Sequence, residues 1–140
     1  MSDPIKILIA DDEVEILDLM AKRVAKEEGY LVIKAHDGQE AWEKIQAESP
    51  DVILLDLTMP RMDGIEVLQN LRAHPPVTKW QPVIIISALG ELADVQKGLS
   101  LEADHYLTKP CQMDDVLRAI RTMVSLIPLR KPKTEIDRES

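Results

Sequence analysis

Phenylalanine is missing from this chain of 140 residues, and two tryptophans and two tyrosines are its only aromatics. The core must then be built from Ile, Leu, Val, Ala and Met, so an aromatic at a special position stands out. A single cysteine, Cys111, excludes an internal disulfide framework and suits a reducing compartment. Apolar runs such as Val83 to Ile86 are far too short to cross a bilayer. The start, Met1-Ser2-Asp3-Pro4, lacks the basic and apolar regions of a signal peptide. Positive charge is also short: 17 basic residues face 25 acidic ones, for a net charge of −8. That balance argues against direct nucleic-acid binding, which rests mainly on Lys and Arg meeting phosphates. The expectation is a cytoplasmic domain that engages neither membrane nor nucleic acid, and is large enough to bury one core.

What is present is a regular alternation. Ile5 to Ala10, Lys6 aside, is an apolar run ending in Asp11-Asp12-Glu13 and predicts a first strand. Val14, Leu17, Ala21 and Val24 recur at helical spacing until Gly29 stops the helix. Leu31 to Ala35 predicts strand two; Asp37 and Glu40 then form a capping-box pattern that opens a helix carrying Ala41, Trp42 and Ile45. Ser49-Pro50 breaks that helix. Val52-Ile53-Leu54-Leu55 follows, four aliphatic residues running straight into Asp56, as in a strand covered on both faces. Asp63 and Glu66 repeat the capping pattern before Ile65, Leu68 and Leu71, and His74 to Gln81, with two prolines, is a loop. Val83 to Ile86 predicts strand four, ending in Ser87-Ala88; Leu92, Val95 and Leu99 mark a fourth helix, and His105 to Thr108 a short fifth strand. Met113, Val116, Leu117, Ile120 and Val124 mark a last amphipathic helix. Five β-α units predict an α/β fold with a mainly parallel sheet, helices on both faces and right-handed crossovers. Residues 1–126 form the expected domain, and 127–140, with Pro128 and Pro132, a tail or the start of a linker.

In such sheets, ligands bind beyond the carboxyl ends of the strands, where the strand order reverses. The residues at those ends are Asp11 and Asp12, Asp56, Ser87 and Lys109. With strand order 2-1-3-4-5, strands one and three are neighbours, and three carboxylates share one crevice. Like charges that close raise each other's pKa unless a cation neutralises them. Mg²⁺, a hard ion that keeps several waters, suits two or three carboxylates. Acid cluster, metal, lysine and hydroxyl together make a site for a phosphoryl group, and a carboxylate can itself be the nucleophile.

Asp11-Asp12, Asp56 with Met59-Pro60 and Asp63-Gly64, Ser87-Ala88, and Tyr106-Leu107-Thr108-Lys109-Pro110 resemble the signature of response-regulator receiver domains, the phospho-accepting halves of bacterial two-component systems. The resemblance spans roughly residues 5–126, with motifs in register at the ends of four strands. It implies a flavodoxin-like, doubly wound (βα)5 fold with a five-stranded parallel sheet. By resemblance, Asp56 is the phosphoacceptor, served by a sensor histidine kinase or phosphotransfer protein. Asp12 binds Mg²⁺ directly, Asp11 directly or through water, and the backbone carbonyl of Thr58 is a further ligand. Ser87 and Lys109 each hold a phosphoryl oxygen. Tyr106 is the switch aromatic, swinging inward when Ser87 moves toward the phosphate. The Lys109-Pro110 bond is cis in this family. The output implied is a downstream effector protein or a fused output domain, reached through the face made by helix four, strand five and helix five. A phosphorylation-dependent homodimer through that face is a further expectation, with Lys97, Asp104 and Arg118 as candidates for its ion pairs.

The chain departs from the usual pattern in places. Cys111 replaces the phenylalanine common after Lys-Pro, Glu102 replaces a glycine, and His105 stands where many DNA-binding regulators have an acid. The last two bear on a dimer face of the transcription-factor type and leave the phosphorylation site untouched. Plainer readings stand beside the functional ones. Asp11 and Asp12 are also placed to cap the first helix, Ser87 to start a turn, and Tyr106 to be an ordinary strand residue. Trp42 and Trp80 are expected to pack, as is Cys111, and His36, His74 and His105 show no metal-ligand grouping. Thr58 and Leu89, two residues beyond Asp56 and Ser87, are expected to affect how water reaches the phosphate. A dehalogenase-like phosphatase also uses an aspartate nucleophile and Mg²⁺, but expects an acid where Thr58 stands. A receiver-like interaction module without phosphorylation is a third reading, against which the intact acid set argues. The preferred expectation is a signalling phospho-acceptor rather than an enzyme.

Overall fold

Every residue of Val52–Asp56 is buried, and the rest of the sheet explains why. The computed structural model describes residues 3–74, 80–88 and 103–130. Within them lie strands Ile5–Ala10 (β1), Tyr30–Ala35 (β2), Val52–Asp56 (β3), Val83–Ala88 (β4) and His105–Lys109 (β5). The helices are Val14–Ala25 (α1), Gly38–Glu48 (α2), Gly64–Ala73 (α3) and a C-terminal helix, Met113–Leu126. A 3₁₀ turn, Ile127–Arg130, follows, and Ile127 packs against the core. The strands form one parallel sheet in the order β2-β1-β3-β4-β5, as expected, with β3 in the middle.

Alternation along the strands divides the core into two layers. Leu8, Ile53, Leu55, Val83 and Ile85 face α2 and α3, where Ile45, Leu68 and Leu71 meet them. Ile7, Ile9, Val52, Leu54, Ile84 and Ile86 face α1 and the C-terminal helix, meeting Leu17, Val24, Val116 and Ile120. With no phenylalanine available, branched aliphatics fill both layers. Trp42 and Trp80 flank one layer each, which bears out their packing role. Cys111, like Trp80, packs against the second of these layers, and burial pushes its thiol pKa up.

Both predicted capping aspartates do their work: Asp37 accepts from the amide of Glu40 at 2.8 Å and Asp63 from that of Glu66 at 2.9 Å. Asp11 and Asp12 do not cap α1. Its N-cap is Glu13, without a side-chain bond; Asp11, lying in line with β1, instead accepts from the Glu13 amide at 2.9 Å. β2 starts one residue earlier than expected because Tyr30 pairs with Ile5, and β5 runs on to Lys109, opposite Ala88.

Asp104 is already committed inside the fold, a correction to its place among candidate interface ion pairs. Its carboxylate accepts from the Val83 amide at 2.8 Å and from Arg72 at 3.1 Å. Arg118 is exposed and pairs with Asp115, one turn back on its own helix. The predicted fourth helix (Leu92, Val95, Leu99) lies outside the described residues, as do Leu89, Lys97, Glu102 and residues 131–140.

Candidate functional site

The site follows from where strands stop. Asp56 ends β3 and is 6% exposed; Asp11 continues β1 and is fully buried; Asp12 is exposed. One carboxylate oxygen from each comes within 4.8 Å of the others, and among the described residues no other such acid, His or Cys cluster forms.

Lys109 ends β5, two strands away from β3, and reaches across β4 to join them. Its Nζ donates to Asp56 Oδ2 at 3.0 Å and to Asp11 Oδ2 at 3.4 Å. The crossing is open because β4 ends there in a small residue, Ala88, opposite Lys109. The other Asp56 oxygen, Oδ1, accepts from the Thr58 amide at 3.3 Å.

Burial raises the pKa of Asp56 to about 6; Lys109 works against that shift and the charge of Asp11 adds to it. Burial would lower the pKa of Lys109, but its bonds and charge contacts to Asp56 and Asp11 outweigh this and raise it. Asp12, Glu13, Asp56, Thr58, Ala88 and Lys109 line a cleft of about 250 Å³. That is less than the room a drug-sized ligand needs, and ample for an ion and a phosphoryl group.

Ser87 and Tyr106 stand apart from this cluster. Alternation puts Asp11, Asp56 and Lys109 on the sheet face covered by α1 and the C-terminal helix. Ser87 and Tyr106 share the opposite face with Ile85. Ser87 is buried at 3% exposure. Tyr106 packs half-buried against the layer under α2 and α3, and its hydroxyl is buried with no hydrogen-bond partner among the described residues. The Lys109-Pro110 bond is cis, as expected.

The loop between β3 and α3 is gripped at both ends. Leu57 donates its amide to Ile86 at 2.8 Å, and Gly64 donates to the Leu57 carbonyl at 2.9 Å. Gly64 lies so close that a Cβ there would be 2.6 Å from the Asp56 carbonyl oxygen. The loop's far side meets the start of α2, where Arg61 pairs with Asp37 at 2.6 Å. Sequence reasoning passed over Arg61, because nothing in periodicity or composition links two turns 24 residues apart.

Comparison with known proteins agrees with this arrangement. A sequence model of the family described as "Response regulator receiver domain" matches residues 7–121. The chain is 40% identical over 119 residues to the probable transcriptional regulator ycf27 of Guillardia theta, covering 85% of this chain and 45% of that one. It is 37% identical over 131 residues to the alkaline phosphatase synthesis transcriptional regulatory protein PhoP of Bacillus subtilis, covering 94% and 53%. It thus spans about half the length of these curated relatives. Among solved structures, it resembles the receiver domain of the Francisella response regulator 1452, with TM-score 0.74, 36% identity and coverage of 84% and 94%. A CheY-like receiver domain protein from Methanospirillum hungatei gives TM-score 0.76 at 30% identity, with coverage of 89% and 95%. With the predicted sheet order, the acid cluster and these likenesses in agreement, the chain belongs to the response-regulator receiver domain family of two-component signalling.

Proposed function

We propose that this domain accepts a phosphoryl group on Asp56 and acts as a signalling switch rather than as an enzyme turning over a substrate. The observation that carries this reading is the reach of Lys109 over β4 to a buried Asp56 that lies beside Asp11 and Asp12. These carboxylates face one lysine, and all their donors are hard oxygens, so the set fits Mg²⁺. Asp11, Asp12, Asp56 and the backbone carbonyl of Thr58 would hold the ion. When bound, it supplies neutralising charge next to the phosphoryl oxygens.

The transfer is an in-line displacement. An ionised Asp56 oxygen attacks phosphorus, and the O–P bond forms as the P–N bond of a donor phosphohistidine breaks. The electron pair leaves on the imidazole nitrogen, which takes up a proton. Lys109 draws in charge that builds on one phosphoryl oxygen, and Ser87 binds another. The new dianion then favours an inward Tyr106, whose hydroxyl is buried with no hydrogen-bond partner among the described residues.

The donor is a sensor histidine kinase or phosphotransfer protein, and a small phosphodonor can substitute for it. The reader is a separate effector or an output domain in the same polypeptide; the greater length of the curated relatives supports the second. The change reaches its reader through the face made by the fourth helix, β5 and the C-terminal helix, where a phosphorylation-dependent homodimer would also form. In this reading the domain takes in residues 1–126 and works in the cytoplasm, and 127–140 are a tail or the start of a linker, of which Ile127 still packs against the core. No helix among the described residues is long and apolar enough to cross a membrane.

Intact-mass measurement after incubation with Mg²⁺ and acetyl phosphate tests the reading. A single phosphate adduct is expected on the wild type and none on Asp56→Asn. No gain in mass, or equal labelling of the variant, would sink it. A dehalogenase-like phosphatase would instead turn over unrelated phosphomonoesters, and where it needs a second acid this chain has Thr58.

A further inference from the structure

Asp37 does two jobs with two oxygens. Oδ1 caps α2 by accepting from the Glu40 amide at 2.8 Å, and Oδ2 accepts from Arg61 Nη2 at 2.6 Å. The capping bond, ahead of the arginine, holds the Asp37 carboxyl below its usual pKa range against the opposing effect of burial. Arg61 has φ +67°, and the amide of Met62 bonds back to the Pro60 carbonyl at 2.8 Å, so the chain makes a tight positive-φ γ-turn at an arginine. Such a φ is uncommon for a residue other than glycine, and contacts around it hold it there. That restraint is the α2 turn. Asp37 holds the guanidinium, and Gly38 lies so near that a Cβ there would be 1.5 Å from the Met62 carbonyl oxygen.

The same short loop carries Thr58, three residues before Arg61. Its neck is fixed by Leu57 and Gly64, but a neck alone does not set the orientation of the backbone between them. We propose that the Asp37–Arg61 ion pair is a positioning clamp, fixing the β3–α3 loop so that the Thr58 carbonyl is presented to a cation beside Asp56. Neither residue touches that cation. The inference rests on the metal and phosphoacceptor reading above and adds to it a support delivered from a different βα unit.

The test uses the full chain and three variants. Asp37→Asn keeps an excellent cap while removing the charge. Arg61→Gly removes the guanidinium and accepts φ +67° without strain, and Arg61→Lys keeps a cation of similar reach. Three quantities are read: Mg²⁺ affinity by calorimetry, the metal-free Tm, and the rate of mass gain with acetyl phosphate. Asp37→Asn and Arg61→Gly are expected to bind Mg²⁺ about three- to tenfold more weakly, in the lower range for residues that orient a metal ligand. Arg61→Lys should recover part of the loss. Wild-type affinity in both Asp37→Asn and Arg61→Gly overturns the clamp. So does a loss that merely tracks metal-free Tm across the set, which marks a structural pair only. A wild type that binds no Mg²⁺ and gains no phosphate brings down the site reading itself, a result distinct from a wild type that labels normally beside unimpaired variants.

Discussion

Asp56 ionises against burial and the charge of Asp11, with Lys109 opposing both. Its carboxyl therefore holds a proton up to about pH 6 in the folded chain, and only to about 3.8 when unfolded. Between those values the folded state binds more protons, so stability is lost as pH rises through the folded pKa. Asp56→Asn carries no such charge. In metal-free protein at pH about 7.5 it should be more stable than wild type by about 1 kcal/mol, well under the full linkage value because Lys109 loses a partner and water screens the cleft. The gap should close as pH falls through about 6. Thermal melts of the two proteins across that range check this; an asparagine variant less stable at neutral pH, or a gap indifferent to pH, contradicts it. The aspartate is suited to chemistry and poorly suited to stability, as reactive groups often are.

At the scale of elements, the site depends on how tightly one backbone is laid on another. Gly64 opens α3 against the Asp56 carbonyl, where a methyl group would stand 2.6 Å from oxygen. Gly64→Ala should lower Tm by several degrees, about 2 kcal/mol or more from overpacking against backbone, and slow phosphate uptake. An alanine variant matching wild type in both melts and labelling would show that the α3 start can shift freely. Much of this level was legible in the sequence. An apolar run ending in an acid places Asp56, because a strand buried on both faces can end in charge only where it leaves the core. The aspartates at 37 and 63 were legible as caps because the capping box is local. What escaped depends on contacts across the fold. Asp104 looks like a surface acid until α3 brings Arg72 to it, and Arg61 looks like a loop cation until the α2 turn meets it. The plainer reading of Asp11 as a cap of α1 fails because its carboxylate is taken by the Glu13 amide, ahead of the helix, and by Lys109 from a distant strand.

Across the whole molecule, a cation bound at the acid cluster should appear as added stability, since it binds the folded site and not the open chain. Melts at rising Mg²⁺ should show Tm climbing by a few degrees, with the stabilisation reaching about 2.7 kcal/mol at a hundred times the dissociation constant. Chelator should reverse the gain, and Asp11→Asn should blunt it. A Tm indifferent to Mg²⁺ in wild type would count against the metal set. The two-layer core adds a consequence of its own. Strand alternation sends Asp56 to one side of the sheet and Ser87 with Tyr106 to the other. On the proposed function, Ser87 near the end of β4 is then the link between the two sides, since it must leave the Tyr106 side to hold an oxygen of a phosphoryl group attached on the other. In that reading the mark is written on the side of α1 and the C-terminal helix, and the space Ser87 gives up is what tells the far side, where Tyr106 stands, that it has been written.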